Sequence, residues 1–464
     1  MNGLGATATS VTAQILARIE AMTFERFPAE LLVAVRMLVL DGIAVAVAGA
    51  RLERAPTILA DYLDAQCGSG EVSALGLGRQ YSASSAALLN ASSMHVLDFE
   101  PIWRPATHAL SPVLGAILAL AEQEQQGGRE LTTALVRGIE IQGWLREAGD
   151  AESRDLRFHP PGVVGPIGAA MACSTLLGFA RDDTANALGI ASSRCGSLFA
   201  NLGTMTKSTH CGHAAAAGVE AALLTRLGFD ANPQVFDTAQ QGYLQAFMPD
   251  FDLDTLLRCG EYFRILDPGF AIKIYPAKFS THYGISAALD LYPQIDDPAT
   301  IDSVAITAAA VPSSNRPLPK SGLDGKFSMQ YTAAAALLDG RVDLETFTDD
   351  RLSRADMQAL LAKITISMPP EMPSLYNAGR YAEVAVRLHD GSDLSARCHA
   401  PRGSWGAEPI PVAEHLGKVR ACLETCLAPD AVDEIIDLGG RVETLDSDGL
   451  RRMLRLAATP LAAG

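Results

Sequence analysis

His95-Val96-Leu97-Asp98-Phe99-Glu100-Pro101-Ile102-Trp103-Arg104-Pro105-Ala106-Thr107-His108 is out of character with the sequence on either side of it. Residues 83–94 before it and 111–125 after it have the apolar density of buried helices. Read as a loop, the stretch divides an alanine-rich helical chain into packed segments. Two histidines, an Asp, a Glu, a Trp and an Arg in so short a span are costly to bury unless they are paired or put to use. Pro101 and Pro105 bias the residues before them to extended backbone, so the loop is stiff, as a fixed catalytic geometry requires. The alternative is an interhelical loop with a capping Asp and a hydrogen-bonded His.

Working outward, the pattern predicts helices over 11–22, from Pro28 to about 50, and over 55–66, 130–147, 162–177, 182–191 and 214–227. After about residue 265 the texture changes. Residues 301–308 alternate as a strand does, 363–367 form a second strand candidate, and 381–388 and 394–398 flank His389-Asp390-Gly391-Ser392, a hairpin signal. Helices are predicted over 326–338 and 349–362, and from 412 the chain returns to helix (412–426, 430–437, 447–457). The predicted fold is mainly α. A large all-α domain is formed by both ends of the chain, residues 1–265 and 406–464, with a smaller α+β domain, 266–405, inserted.

Composition limits the function. Of 464 residues 48% are apolar and only 6% aromatic, which favours close-packed helices. No apolar run reaches the ~20 uninterrupted residues of a membrane span; residues 37–50 come nearest, and Asp41 interrupts them. No basic segment followed by an apolar core opens the chain, so no signal peptide is expected. A net charge of −16 argues against nucleic acid and anionic membrane as partners. Eight cysteines without a CxxC pair argue against structural zinc and a disulfide framework, and fit a reducing cytoplasm. Gly76-Leu77-Gly78 lacks the third glycine and the helix opening of a dinucleotide loop and reads as a tight turn.

The candidate chemistry lies in five places. Asp98 and His108 bracket the stiff loop. His159 precedes Pro160-Pro161-Gly162 at a helix N-terminus, where anions are favoured; the bland alternative is a histidine packed at a turn. Asn201 to His213 is a polar island ahead of the helix over 214–227, in which Lys207 is an anion clamp. His210, Cys211 and His213 there do not have zinc spacing and are read as capping and packing residues, so no metal site is expected. Lys273 sits between Ile272 and Ile274, whose apolar surroundings lower an amine's pKa; a snorkelling lysine is the alternative. Tyr331 lies near the start of a helix as a hydrogen-bond or proton donor. Gly-x-Ser-x-Gly does not occur. Cations with acid/base groups suit a small polycarboxylate, because abstracting a proton next to a carboxylate needs a base and cations for the developing dianion.

His95-x-x-Asp98-Phe99 with His108 downstream, Thr204-Met205-Thr206-Lys207-Ser208 and Ile272-Lys273-x-Tyr275-Pro276 resemble the signature of the MmgE/PrpD (2-methylcitrate dehydratase) family, over essentially the whole chain. The resemblance implies a large helical domain, a smaller lid domain, a homodimer, and a lyase acting on a small di- or tricarboxylate without a required cofactor. Trp103-x-Pro105-Ala106-Thr107-His108, Phe158-His159-Pro160-Pro161, Lys207, Lys273 and Ser328-x-Gln330-Tyr331 are most similar to the family's cis-aconitate decarboxylases. That similarity implies Asp98, His108, His159, Lys207, Lys273 and Tyr331 as catalytic residues, with His108 the principal acid/base oriented by Asp98. Trp103, Arg104 and Ile102, together with both lysines, are the expected substrate contacts. The decarboxylase pattern has Asp-Asp-Thr where this chain has Glu100-Pro101-Ile102, so a threonine hydroxyl is replaced by an apolar side chain, and Arg104 adds a cation. Such an exchange bears on substrate choice. Two other readings use the same groups: an epimerase of a small dicarboxylate, as some family members are, and a non-catalytic carboxylate-binding relative.

Overall fold

The structure, a computed structural model, describes residues 10–67, 70–149, 158–237, 241–373 and 379–461. The chain separates into two units. One holds the residues before 97, 100–270 and those from 413 onward; the other holds 97–99 and 271–412. The sequence pattern places the change of texture at 266 and 405, and the packing places it at 271 and 412.

The first unit is helical. Its longer helices are α1 (Val11–Glu20), α2 (Ala29–Leu52), α3 (Arg54–Cys67), α4 (Ala83–Val96), α5 (Leu110–Glu124), α6 (Gly128–Ala148), α7 (Pro160–Leu176), α8 (Arg181–Ser192) and α9 (Met205–Arg226), completed by α10 (Val412–Leu423), α11 (Pro429–Gly439) and α12 (Ser447–Ala458). At the centre, α4 packs on α2, α5 and α9, and α7 packs on α5, α6 and α9. Small residues permit these close crossings. A Cβ at Gly212 of α9 would lie 2.1 Å from Ser92 Oγ of α4, and one at Gly218 would lie 2.3 Å from the Ala169 Cβ of α7.

α2 is long and apolar enough to cross a membrane on length and composition, yet every residue from Leu38 to Ala50 is buried within this unit. Asp41, fully buried, explains how the helix tolerates a charge there. Its carboxylate accepts from Lys418 Nζ at 2.8 and 2.9 Å and lies 3.1 Å from His415 Nε2, both on α10. A buried carboxylate held this way pins the C-terminal helices to the N-terminal ones. The Gly76-Leu77-Gly78 segment is a turn, both glycines having positive φ (70° and 66°), and their amides donate to the carbonyls of Ala457 and Ala458 at 2.9 Å. The two chain ends thus meet twice.

The second unit is built on a four-stranded sheet, β1 (Ile301–Ala308), β2 (Ile364–Ser367), β3 (Ala382–Leu388) and β4 (Asp393–Cys398), in the order β2-β1-β3-β4. β1 pairs parallel with β2 (Val304 opposite Ile364) and antiparallel with β3 (Val304 opposite Val386), and β3–β4 is the hairpin closed at Asp390-Gly391. Ala382, Val384 and Val386 alternate inward, and the helix His282–Leu291 packs on β3 and β4. Two expected helices differ in detail. The one predicted over 326–338 starts at Met329, because Ser328 is extended and its Oγ accepts the Tyr331 amide at 3.0 Å as an N-cap. The one predicted over 349–362 breaks at Arg354, whose ψ of 142° is not helical.

Candidate active site

The helical unit gathers four imidazoles. His95 ends α4 and is completely buried, since all of that helix turns inward there. Its Nδ1 is hydrogen-bonded to Oε1 of Glu100, also completely buried, and Ser111 donates to the same oxygen at 3.2 Å. His108 Nδ1 stands 2.8 Å from that Oε1, within ion-pair distance but outside hydrogen-bond direction. The His95 and His108 rings are 4.3 Å apart between centroids, edge to face. The loop joining them closes on itself: the Trp103 amide donates to the Thr107 carbonyl at 3.0 Å, and the Thr107 amide returns to Trp103 at 3.4 Å, around a cis Arg104–Pro105 bond.

His159 arrives from the far side. Pro160 and Pro161 hold it extended ahead of α7, and its amide donates to the Ser197 carbonyl at 2.8 Å. Its ring centroid is 5.6 Å from that of His95 and 5.9 Å from that of His108. Its Nδ1 lies 3.0 Å from Nδ1 of His210, so one of the two nitrogens carries the shared proton. His210 and Lys207, three residues apart, share a face of α9, and both are buried.

That placement corrects the reading of 201–213 as an island before a helix. The helix starts at Met205, nine residues earlier than predicted. Ser208 and Thr209 would compete for backbone groups, but they bond back to the Met205 and Thr206 carbonyls, at 2.7 and 2.8 Å, and stay in the helix. His213, read as a packing residue, is exposed.

Electrostatics follow from burial. Desolvation pushes the His95 ring down to about 3, with Lys207 acting in the same direction and Glu100 opposing it. Burial and Lys207 hold His159 well below its ordinary value, and His210 at about 4. Burial pushes the Glu100 carboxyl up, but the His108 and His95 rings more than reverse that, and it stays ionised. The result is neutral rings at His95, His159 and His210 beside the Glu100 carboxylate and buried Lys207, out of bulk water, where fixed charges act strongly.

The other predicted residues fall as follows. Trp103 is completely buried with its ring 4.6 Å from that of Phe270, and Ile102 is buried beside it in sequence. Arg104 is half-buried, and its carbonyl accepts from Arg264 Nη2 at 3.2 Å. Arg264, a buried cation that no motif marks, also reaches Glu147 at 3.1 Å. Its own amide and that of Ile265 donate to the two oxygens of Glu140, at 3.0 and 2.9 Å, a carboxyl that burial pushes up to about 7. Asp98, Lys273 and Tyr331 belong to the second unit. Asp98 has a φ of 52°, a left-handed backbone uncommon outside glycine. Buried Lys273 forms an ion pair with the Asp98 carboxylate and donates to its carbonyl at 2.7 Å. The Tyr331 hydroxyl donates to the Thr346 carbonyl at 2.5 Å, and burial raises its pKa. Asp98 is the carboxylate expected to orient His108; within the helical unit the carboxylate at that ring is Glu100. Glu100, His95 and His210 are the residues it left outside the site.

Known proteins bear on this arrangement. Residues 13–256 match the MmgE/PrpD N-terminal domain and residues 275–442 the MmgE/PrpD C-terminal domain. The chain is 33% identical to the cis-aconitate decarboxylase of Mus musculus over 385 residues, 80% of this chain and 78% of the relative. It is likewise 33% identical to that of Homo sapiens over 387 residues, 81% and 80% of the two chains. The cis-aconitate decarboxylase of Aspergillus terreus is 26% identical over 458 residues, 93% of this chain and 92% of the relative. With both family domains matched in order and a histidine–carboxylate–lysine cluster assembled by the first of them, this chain belongs to the MmgE/PrpD family.

Proposed function

We propose that the protein is a lyase of small di- or tricarboxylates, with cis-aconitate decarboxylation the first reaction to test and 2-methylcitrate dehydration the second. The observation that carries the proposal is the burial together of His95, His108, His159 and His210 beside Glu100, with Lys207 on the same helix face as His210. Decarboxylation breaks a carbon–carbon bond; carbon dioxide leaves and the electron pair stays behind, spread over the adjacent alkene and carboxylate. Lys207 holds a substrate carboxylate and offsets that charge, in a site where a fixed cation acts without reorganising solvent. His108 transfers the proton that completes the product, with Glu100 at 2.8 Å setting the ring's orientation. His95 and Ser111 in turn fix the Glu100 oxygen, and His159 with His210 lines the far side. We place the enzyme in the cytoplasm, as a homodimer whose mass sedimentation of the purified chain tests directly.

The deciding experiment is incubation of purified protein with cis-aconitate, 2-methylcitrate and citrate, following products by proton NMR. Turnover of one substrate, lost in His108→Ala and Lys207→Ala, is expected. If none of the three is consumed, the assignment fails.

A further inference from the structure

We propose that the imidazoles of His95, His108 and His159 form a binding site for a divalent transition-metal ion of the zinc class, and that filling it stops turnover. Each of the three offers a ring nitrogen, and these nitrogens all lie within 4.8 Å of one another. They come from three separate places in the helical unit: the end of α4, the loop before α5 and the residue before α7. A tetrahedral zinc with bonds of about 2.0–2.1 Å holds its nitrogens roughly 3.4 Å apart, so small ring rotations close the site. Two of the donors are also unspent: His95 Nε2 and Glu100 Oε2 are buried, and among the described residues neither has a hydrogen-bond partner. Such atoms gain from a ligand that satisfies them.

The surroundings fit as well. The second nitrogen of His95 is hydrogen-bonded to Glu100, and Nδ1 of His159 lies against His210. Metal-bound histidines are oriented by such outer contacts, a carboxylate behind the ring above all. Three imidazoles with a carboxylate beside them suit zinc, cobalt, nickel or copper, and do not suit magnesium or calcium, which take oxygen ligands. Lys207 opposes a dication and Glu100 offsets it, so the balance rests on the three nitrogen bonds. His210, Cys211 and His213, close together on one helix, lack metal-ligand spacing, whereas this cluster is drawn from positions far apart in the chain.

The inhibitory half rests on the proposed role of His108 in proton transfer: a ring nitrogen bonded to metal cannot carry a proton. The test uses full-length protein stripped with EDTA and desalted. It is titrated with cobalt chloride, read by visible ligand-field absorption, and with zinc chloride, read by calorimetry. One ion per chain with micromolar or tighter affinity is expected, and magnesium chloride gives no heat. His95→Gln and His159→Gln, checked for folding by circular dichroism, each weaken binding by about tenfold or more, and Glu100→Gln by about 10- to 100-fold because the His95 ring loses the carboxylate that orients it. Turnover on the substrate identified above falls in step with zinc occupancy and returns with EDTA. No binding below millimolar metal, or binding equally tight in both histidine variants, overturns the site. Undiminished turnover at full occupancy overturns the inhibition. Lack of activity on carboxylates refutes the lyase assignment and leaves the metal site to the titrations, which need no substrate.

Discussion

His95 gives the most direct measure of whether the cluster is as dry as it is drawn. Its ring is held down to about 3 in the folded chain, against an ordinary 6.5 when unfolded. A depressed histidine pKa means that the unfolded chain binds the extra proton between those two values. The contribution to stability is therefore complete above about pH 7. It is lost progressively as pH falls below about 6.5, at about 1.4 kcal/mol per pH unit. At pH 5 the loss from this one ring is about 2 kcal/mol, and that figure is insensitive to the folded value so long as the latter lies well below 5. His95→Gln removes the titration while retaining a polar side chain. For a unit of about 300 residues, 2 kcal/mol corresponds to about 3 °C in Tm. Tryptophan fluorescence is a suitable readout, because Trp103 and Trp144, two of three tryptophans, are buried in the helical unit. Between pH 7.5 and 5 the wild-type transition should fall about 3 °C further than that of the variant. Parallel curves would refute the reasoning, since the native ring would then be taking up protons as readily as the unfolded one.

Four further outcomes are expected. Asp41→Ala should cost about 3–5 kcal/mol in urea unfolding by leaving Lys418 and His415 without their buried carboxylate, with part recovered in Asp41→Ala/Lys418→Met; a loss under 1 kcal/mol contradicts a central role. Gly218→Val should destabilise by about 1–3 kcal/mol because its side chain meets Ala169 of α7, and an unchanged Tm would show that the crossing yields. Lys207→Ala should lower kcat/KM by about 10²–10³ and lessen the stability lost at acid pH, because removing the cation that depresses three rings ends the loss at a higher pH. Ile102→Thr should shift the ratio of kcat/KM between competing carboxylates by about 10- to 200-fold; identical ratios would place Ile102 away from the substrate.

The fold was largely legible because its signals are local. Apolar periodicity located the helices of both chain ends, alternation located β1, and Asp390-Gly391 located the hairpin. Errors arose where side chains override propensity: Ser208 and Thr209 stay helical by bonding backward, and Arg354 breaks a helix whose composition is unremarkable. The site was legible by residue type but not by partnership. His95, Glu100 and His210 acquire their roles from packing of α4 against α9 and from a contact between His159 and His210, 51 residues apart. Nothing in local spacing encodes such pairs, and a buried glutamate in a stiff loop is recognisable only once its neighbours are in place.

The pairing of Asp41 with α10 also sets an order of events during synthesis. His415 follows Asp41 by 374 residues. At about 5–20 residues per second, the ribosome leaves α2 without its cationic partners for roughly 20 to 75 s. During that interval an apolar helix with an uncompensated aspartate must wait, while the residues of the second unit emerge whole and find their own sheet. The contact that seats Asp41 therefore forms only after the inserted part of the chain has been synthesised.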